Sequence, residues 1–247
     1  MAKISVYEFI KELDSHFARE DLAGAGECLL KWRQKARDLN DRSGELSVIN
    51  EMIGYYRRTG EEEPALGSVK EAFALIDELG IGSEVTAATI YLNGATTMKA
   101  FGRSAEAMPY YEITYKIYRS RLSERDPLFA GLYNNMALAL QDNGDFDGAR
   151  ECFLRAIDIT ASLPGREPET AISCVNLAHL LYDRDSEDAE IMPLLDRASA
   201  LLRDPAVFGC ENYAFTCRKC APSFGFFGLF LEEKYLNERA DEVYAGS

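Results

Sequence analysis

Residues 133–144 read Tyr-Asn-Asn-Met-Ala-Leu-Ala-Leu-Gln-Asp-Asn-Gly, and 42 positions earlier residues 91–102 read Tyr-Leu-Asn-Gly-Ala-Thr-Thr-Met-Lys-Ala-Phe-Gly. Both stretches end in glycine, Gly144 and Gly102, and Gly60 stands a further 42 residues upstream. Gly228 lies two periods beyond Gly144. After each of the first three glycines a short polar link leads to Ala65, Ala107 or Ala149, and seven residues on come Ala72, Thr114 and Ala156. The segment Gly148-Ala149-Arg150-Glu151-Cys152-Phe153-Leu154-Arg155 has a near twin in Gly24-Ala25-Gly26-Glu27-Cys28-Leu29-Leu30-Lys31. Self-similarity at a fixed period of about 20–50 residues implies stacked copies of one supersecondary unit.

Within the unit the apolar spacing is helical. Phe146, Ala149, Phe153, Ala156 and Ile157 recur at steps of three and four, and Ile90, Ala95, Met98 and Phe101 form a looser stripe. Asp126-Pro127 and Asp204-Pro205 read as an N-cap followed by proline in the first turn, with Glu167-Pro168 a weaker version. Gly60, Gly102 and Gly144 read as stops, because glycine takes the left-handed conformation of a helix end without steric cost. The pattern predicts twelve antiparallel helices near 4–17, 21–39, 44–59, 63–79, 84–101, 104–122, 127–143, 146–163, 168–183, 187–203, 206–226 and 229–244. No run alternates as a strand would, so the expected class is all-α.

This frame resembles the tetratricopeptide repeat, in the 42-residue variety of kinesin light chains. Asn134-Asn135-Met136-Ala137, Gly144-Asp145-Phe146, Ala149 and Ala156 carry the likeness, and Pro109 and Pro193 sit early in second helices, where such repeats often have proline. Ser186 stands where glycine is expected and Ile191 where alanine is, and the fourth repeat aligns Asn135 with Asn176 at an offset of 41. The resemblance implies a right-handed superhelical solenoid of about six antiparallel hairpins forming one domain over 1–247: an N-terminal hairpin at 1–43, four core repeats at 44–203 and a divergent capping repeat at 204–247.

The resemblance further implies that first helices line a concave groove that holds an extended peptide or a partner helix. The inward residues are then those two positions before the small core residue: Glu51, Asn93, Asn135 and Asn176, with Asn50 and Asn134 extending the row. An asparagine offers both a donor and an acceptor to a peptide backbone. The alternative is that these amides bond the neighbouring helix or face water. Further along the same helices, Arg57, Arg58 and Lys99 can hold a ligand carboxylate, while Gln141, Asp142, His179 and Asp183 make a more acidic end. Solvated helix-end charges are the plain alternative, and a lone histidine beside apolar neighbours is more often structural.

Composition narrows the chemistry. The 247 residues carry 27 Lys and Arg against 41 Asp and Glu, a formal charge of −14. Such an acidic chain disfavours nucleic acid and an anionic membrane as main partners. It also lacks an apolar run of about 18 residues. Lys3, Glu8 and Lys11 interrupt the N-terminal apolar stretch, which leads us to expect a cytoplasmic protein. Six cysteines in a chain with an ample core read as free thiols. Cys217-Arg218-Lys219-Cys220, with Cys210 upstream, is read first as core, then as a redox pair or metal ligand set. No second C-x-x-C or nearby histidine completes a zinc site there. Two histidines, His16 and His179, leave little for acid–base catalysis, so no enzyme activity, cofactor or metal is expected. Phe224, Phe226, Phe227 and Phe230 read as core beneath the last repeat, or as a patch for self-association. Pro222 is expected to bend or interrupt its helix. Two functions remain: a non-catalytic scaffold for a protein or peptide, and a sensor responsive to a ligand, a signalling peptide or redox change.

Overall fold

The computed structural model describes residues 2–209 and 212–245. These form twelve α-helices: α1 (Val6–Ala18), α2 (Leu22–Asp38), α3 (Arg42–Thr59), α4 (Glu62–Leu79), α5 (Val85–Ala100), α6 (Ser104–Arg121), α7 (Pro127–Asp142), α8 (Phe146–Ala161), α9 (Glu167–Arg184), α10 (Ile191–Arg203), α11 (Tyr213–Phe226) and α12 (Phe230–Ala245). No strand occurs among the described residues. Odd helices pair with the even helices that follow them, giving six hairpins. The chain divides into two compact units, Met1–Arg121 and Leu122–Ser247, each holding three hairpins.

Local chemistry sets the helix ends. Asp21, Asp41 and Asp145 each precede a helix and accept the backbone N–H three residues on, from Gly24, Gly44 and Gly148, at 2.9–3.0 Å. This satisfies a donor that the first turn would leave orphaned. Asp126 caps α7 by accepting from Leu128 N at 2.9 Å, with Pro127 in the first turn. At the other ends, Gly60 and Gly144 take φ of 76° and 82°, the left-handed geometry expected of them.

The C-terminal quarter departs from expectation in three places. The helix expected over 206–226 is a short 3₁₀ turn, Pro205–Val207, followed by α11 from Tyr213. The start signal of Asp204-Pro205 is real, and Asp204 accepts from Ala206 N at 2.9 Å, but it opens only that turn. Cys210, expected to share a face with Cys217 and Cys220, lies outside the described residues. Helix α11 runs on past Pro222 to Phe226, so the proline does not interrupt it. Helix α10 begins at Ile191 rather than near 187. Asp185 and Asp188 turn back onto Glu187 N and Glu190 N and hold the intervening residues as a loop.

Packing follows the small residues. Ala65, Ala107 and Ala149 are fully buried in second helices, as are Ala95, Ala137 and Ala178 in first helices. Thr114 occupies an alanine position because its buried hydroxyl donates to Ala88 O at 3.1 Å and Tyr110 O at 2.8 Å. In the first unit Glu45, only 2% exposed, accepts from Arg37 Nε and Arg42 Nη1 at 2.6 Å each. Arg42 also donates to Glu78, which ties α2, α3 and α4 together. Cys28, Cys152, Cys174, Cys217 and Cys220 are all free and buried. Burial raises their thiols, Cys28 and Cys152 to about 11.

Two glycines separate conformational from steric cost. Replacing Gly144 by alanine forces an L side chain into the left-handed region and lowers stability by about 1–2 kcal/mol, although nothing lies within 4 Å of the added methyl. Gly131, exposed inside α7 with equal room, gains about 0.5–1 kcal/mol on the same change. Equilibrium urea denaturation followed by circular dichroism checks both signs.

Candidate functional site: the first-helix faces of the two units

Helices α1, α3 and α5 are the first helices of the hairpins in the N-terminal unit. Between them lies an open cavity of about 330 Å³ lined by Val6, Ile10, Ser47, Asn50, Glu51, Val85, Thr86, Thr89 and Ile90. Asn50 and Glu51, singled out from the sequence, therefore open onto one cleft. Asn93 Nδ2 donates to Asn50 Oδ1 at 2.9 Å and Asn50 Nδ2 to Glu51 Oε1 at 3.1 Å. The chain of bonds runs from α5 through α3 to the carboxylate. Burial raises the Glu51 carboxyl above its usual range, the Asn50 bond opposes this, and the charge of Asp14 adds to it.

The cations of this unit diverge. Arg57 turns toward α5 and donates Nη1 to the Thr97 hydroxyl at 3.2 Å, and burial lowers its guanidinium. Arg58 turns the other way, with its guanidinium 5.2 Å from the centre of the Phe17 ring on α1. Lys99 is half-buried on α5. Adjacent positions on α3 thus serve opposite neighbours, which sequence spacing alone did not separate.

In the second unit the amides follow a 42-residue register. Asn176 Nδ2 donates to Asn134 Oδ1 at 3.0 Å, and Ser173 Oγ to the same oxygen at 3.3 Å. Gln141 Nε2 donates to Asp183 Oδ2 at 2.6 Å, also across 42 positions. Asn135 stands apart: its Nδ2 donates to Gly131 O of its own helix at 2.8 Å rather than to a neighbouring helix. Asn176 thus bonds the residue before its equivalent Asn135, just as Asn93 bonds the residue before its equivalent Glu51. His179 is packed against Phe226 and Phe227, with ring centroids 5.1 and 4.9 Å away. Burial lowers its imidazole and Asp183 partly restores it.

The C-terminal phenylalanines are only partly core. Phe224 is fully buried, but Phe226 is 57% and Phe230 67% exposed, and Leu231 beside it is 85% exposed. The reason is positional: Gly228, at φ 79°, turns the chain so that Phe230 and Leu231 open α12. Tyr182 joins Phe226 and Phe227 edge-on at 5.1 and 5.7 Å, so the aromatics make a partly exposed cluster.

The two adjacent asparagines give a direct comparison. Asn134→Ala strips the Asn176 amide and the buried Ser173 hydroxyl of their acceptor and lowers stability by about 1–3 kcal/mol. Asn135→Ala removes only a bond to its own helix and leaves stability unchanged or slightly higher. Parallel urea titrations of the two variants check this.

Residues 128–204 match the tetratricopeptide repeat family model. Photosystem I assembly protein Ycf3 of two Prochlorococcus marinus strains is 26% identical over 127 residues, which are 51% of this chain. The chain spans 66% of the length of these curated relatives. The kinesin light chain TPR-like repeats of Podosopora anserina superpose with a TM-score of 0.57 at 20% identity, over 81% of this chain and 95% of that one. NprR in complex with its cognate peptide NprX superposes with a TM-score of 0.62 at 12% identity, over 98% and 68%. No helix among the described residues is long and apolar enough to cross a membrane. Residues 128–204 carry the tetratricopeptide repeat match, and the fold of the hairpins resembles that of kinesin light chain repeats.

Proposed function

We propose that the chain is a non-catalytic scaffold whose first unit holds an extended peptide segment in the cleft between α1, α3 and α5. Glu51 carries this reading. Its carboxylate is half-buried, and among the described residues its one bonded partner is the neutral amide of Asn50, with no ion pair to a cation. A desolvated carboxylate beside the charge of Asp14 costs stability, and a cation supplied by a ligand offsets that cost. The cleft walls suit one anchoring residue: Val6, Ile10, Val85 and Ile90 take the apolar stem of a lysine or arginine, and Ser47, Thr86 and Thr89 border it. At about 330 Å³ it sits at the small end of ligand pockets, which favours a single side chain over a whole small molecule.

A regulator that changes shape on binding a signalling peptide is the second reading, favoured by the likeness to peptide-bound NprR. Small-angle scattering that shifts on peptide addition would select it.

The test is an array of immobilised decapeptides probed with the purified chain. Retained peptides should be enriched in lysine or arginine, and Glu51→Gln should remove that preference. Asn135→Ala, in the second unit and away from the cleft, should leave retention of basic peptides unchanged. The pH dependence has a definite sign. A carboxyl raised by folding stabilises the folded chain only when protonated, so its contribution is lost as pH rises through the raised value. Glu51→Gln should therefore raise the melting temperature at neutral pH while weakening basic peptides. Wild-type binding of these peptides should fall as pH drops into the Glu51 titration range. Retention of no peptide, or an undiminished preference for basic peptides in Glu51→Gln, would overturn the proposal.

A further inference from the structure

The first hairpin holds a second constellation, away from the cleft. Glu12 and His16 lie one turn apart on α1, and Cys28 and Trp32 one turn apart on α2, so the two pairs can face each other across the hairpin. One donor atom each from Glu12, His16 and Cys28 lies within 4.8 Å of the other two. Neighbouring groups position these donors. His16 Nδ1 is 2.8 Å from Asp21 Oδ2, and Asp21 is itself anchored as the N-cap of α2. That carboxylate takes the Nδ1 hydrogen and leaves Nε2 with its lone pair, as outer-sphere carboxylates do for metal-bound histidines. A Cβ at Gly24 would come within 2.4 Å of His16 Nδ1, so glycine is what lets the ring lie against α2. Glu12 is oriented by Trp32 Nε1 at 2.8 Å and Lys31 Nζ at 2.7 Å. Cys28 is 3% exposed and free.

We propose that Glu12, His16 and Cys28 bind one zinc ion, with water as the fourth ligand. An oxygen, a nitrogen and a sulfur donor at this spacing suit a borderline-soft tetrahedral cation and not magnesium or calcium, which take oxygen ligands. Two anionic donors and a neutral imidazole balance the dication. On binding, the Cys28 thiol gives its proton to solvent, and the exposed Lys31 ammonium leaves Glu12 for water. The ion would cross-link α1 to α2. Helix α1 buries only Phe9 and Leu13 of its own residues while its Val6 and Ile10 form one wall of the cleft, so the cross-link steadies that wall. The site itself does not depend on the peptide reading.

Cobalt(II) titration of the chelator-treated chain reads the site directly. The expected result is one equivalent bound, with a thiolate-to-cobalt charge-transfer band that zinc abolishes. Cys28→Ser should remove the band, and His16→Gln, at a half-buried position, should weaken binding at least tenfold with the helical circular dichroism unchanged. Asp21→Asn tests the positioning of His16 and should weaken zinc by roughly 10–100-fold. Absence of a thiolate band at one equivalent would overturn the proposal. So would a band that survives both Cys28→Ser and His16→Gln, since the metal would then sit on other cysteines.

Discussion

Each hairpin depends on how closely two helices approach where only a methyl group separates them. Ala65, Ala107 and Ala149 supply that methyl on second helices, and Ala95, Ala137 and Ala178 on first helices, all without solvent exposure. A side chain one or two carbons larger at such a crossing costs about 1–3 kcal/mol through overpacking. The close crossing fixes the rotation of each helix about its axis, and with it which residues can reach the next hairpin. Asn93 meets Asn50, Asn176 meets Asn134 and Gln141 meets Asp183 at separations of 42 or 43 residues because the hairpins stack at one repeat per step. Stacking of this kind buries a shared core that no single hairpin can bury alone.

The repeat and most of its helices were legible in the sequence because their signals are local. The 42-residue glycine spacing, the Asp-Pro starts and the apolar steps of three and four mark ten of the twelve helices to within a few residues. A further start signal, aspartate followed three residues later by glycine at 21, 41 and 145, recurs as plainly and was missed. The failures lie where a local signal was true but weak. Asp204-Pro205 does open a turn, yet the chain leaves it after three residues, and Pro222 sits inside a helix that runs on without its N–H. Phe226 and Phe230 read as core from composition alone, whereas their exposure is set by where the turn at Gly228 places them.

The candidate site was less legible, for a different reason. Sequence periodicity places Asn50, Asn93, Asn134, Asn135 and Asn176 on first helices but does not say which amide bonds a neighbour and which bonds its own helix. One residue of difference separates Asn134, bonded across to α9, from Asn135, bonded to its own helix. Arg57 and Arg58 split between α5 and α1 in the same way. Glu12, His16 and Cys28 form no linear motif at all, since their proximity arises only when α1 folds back onto α2. Glu51 stood in the expected row, but its lack of a cation partner among the described residues is a property of three helices together.

Much of the polar surface of the first helices holds hairpins to each other, and Glu51 is the conspicuous group that works against stability instead. Groups that lower stability without a structural return are where binding function is to be sought. Hydrogen–deuterium exchange of the chain with and without an array-selected basic decapeptide tests this most directly. The account predicts slowed exchange confined to α1, α3 and α5 around Ile10, Glu51 and Thr89, and none of it in the Glu51→Gln variant. Slowed exchange at α11 and α12 alone, or unchanged protection at the cleft in that variant, would contradict it.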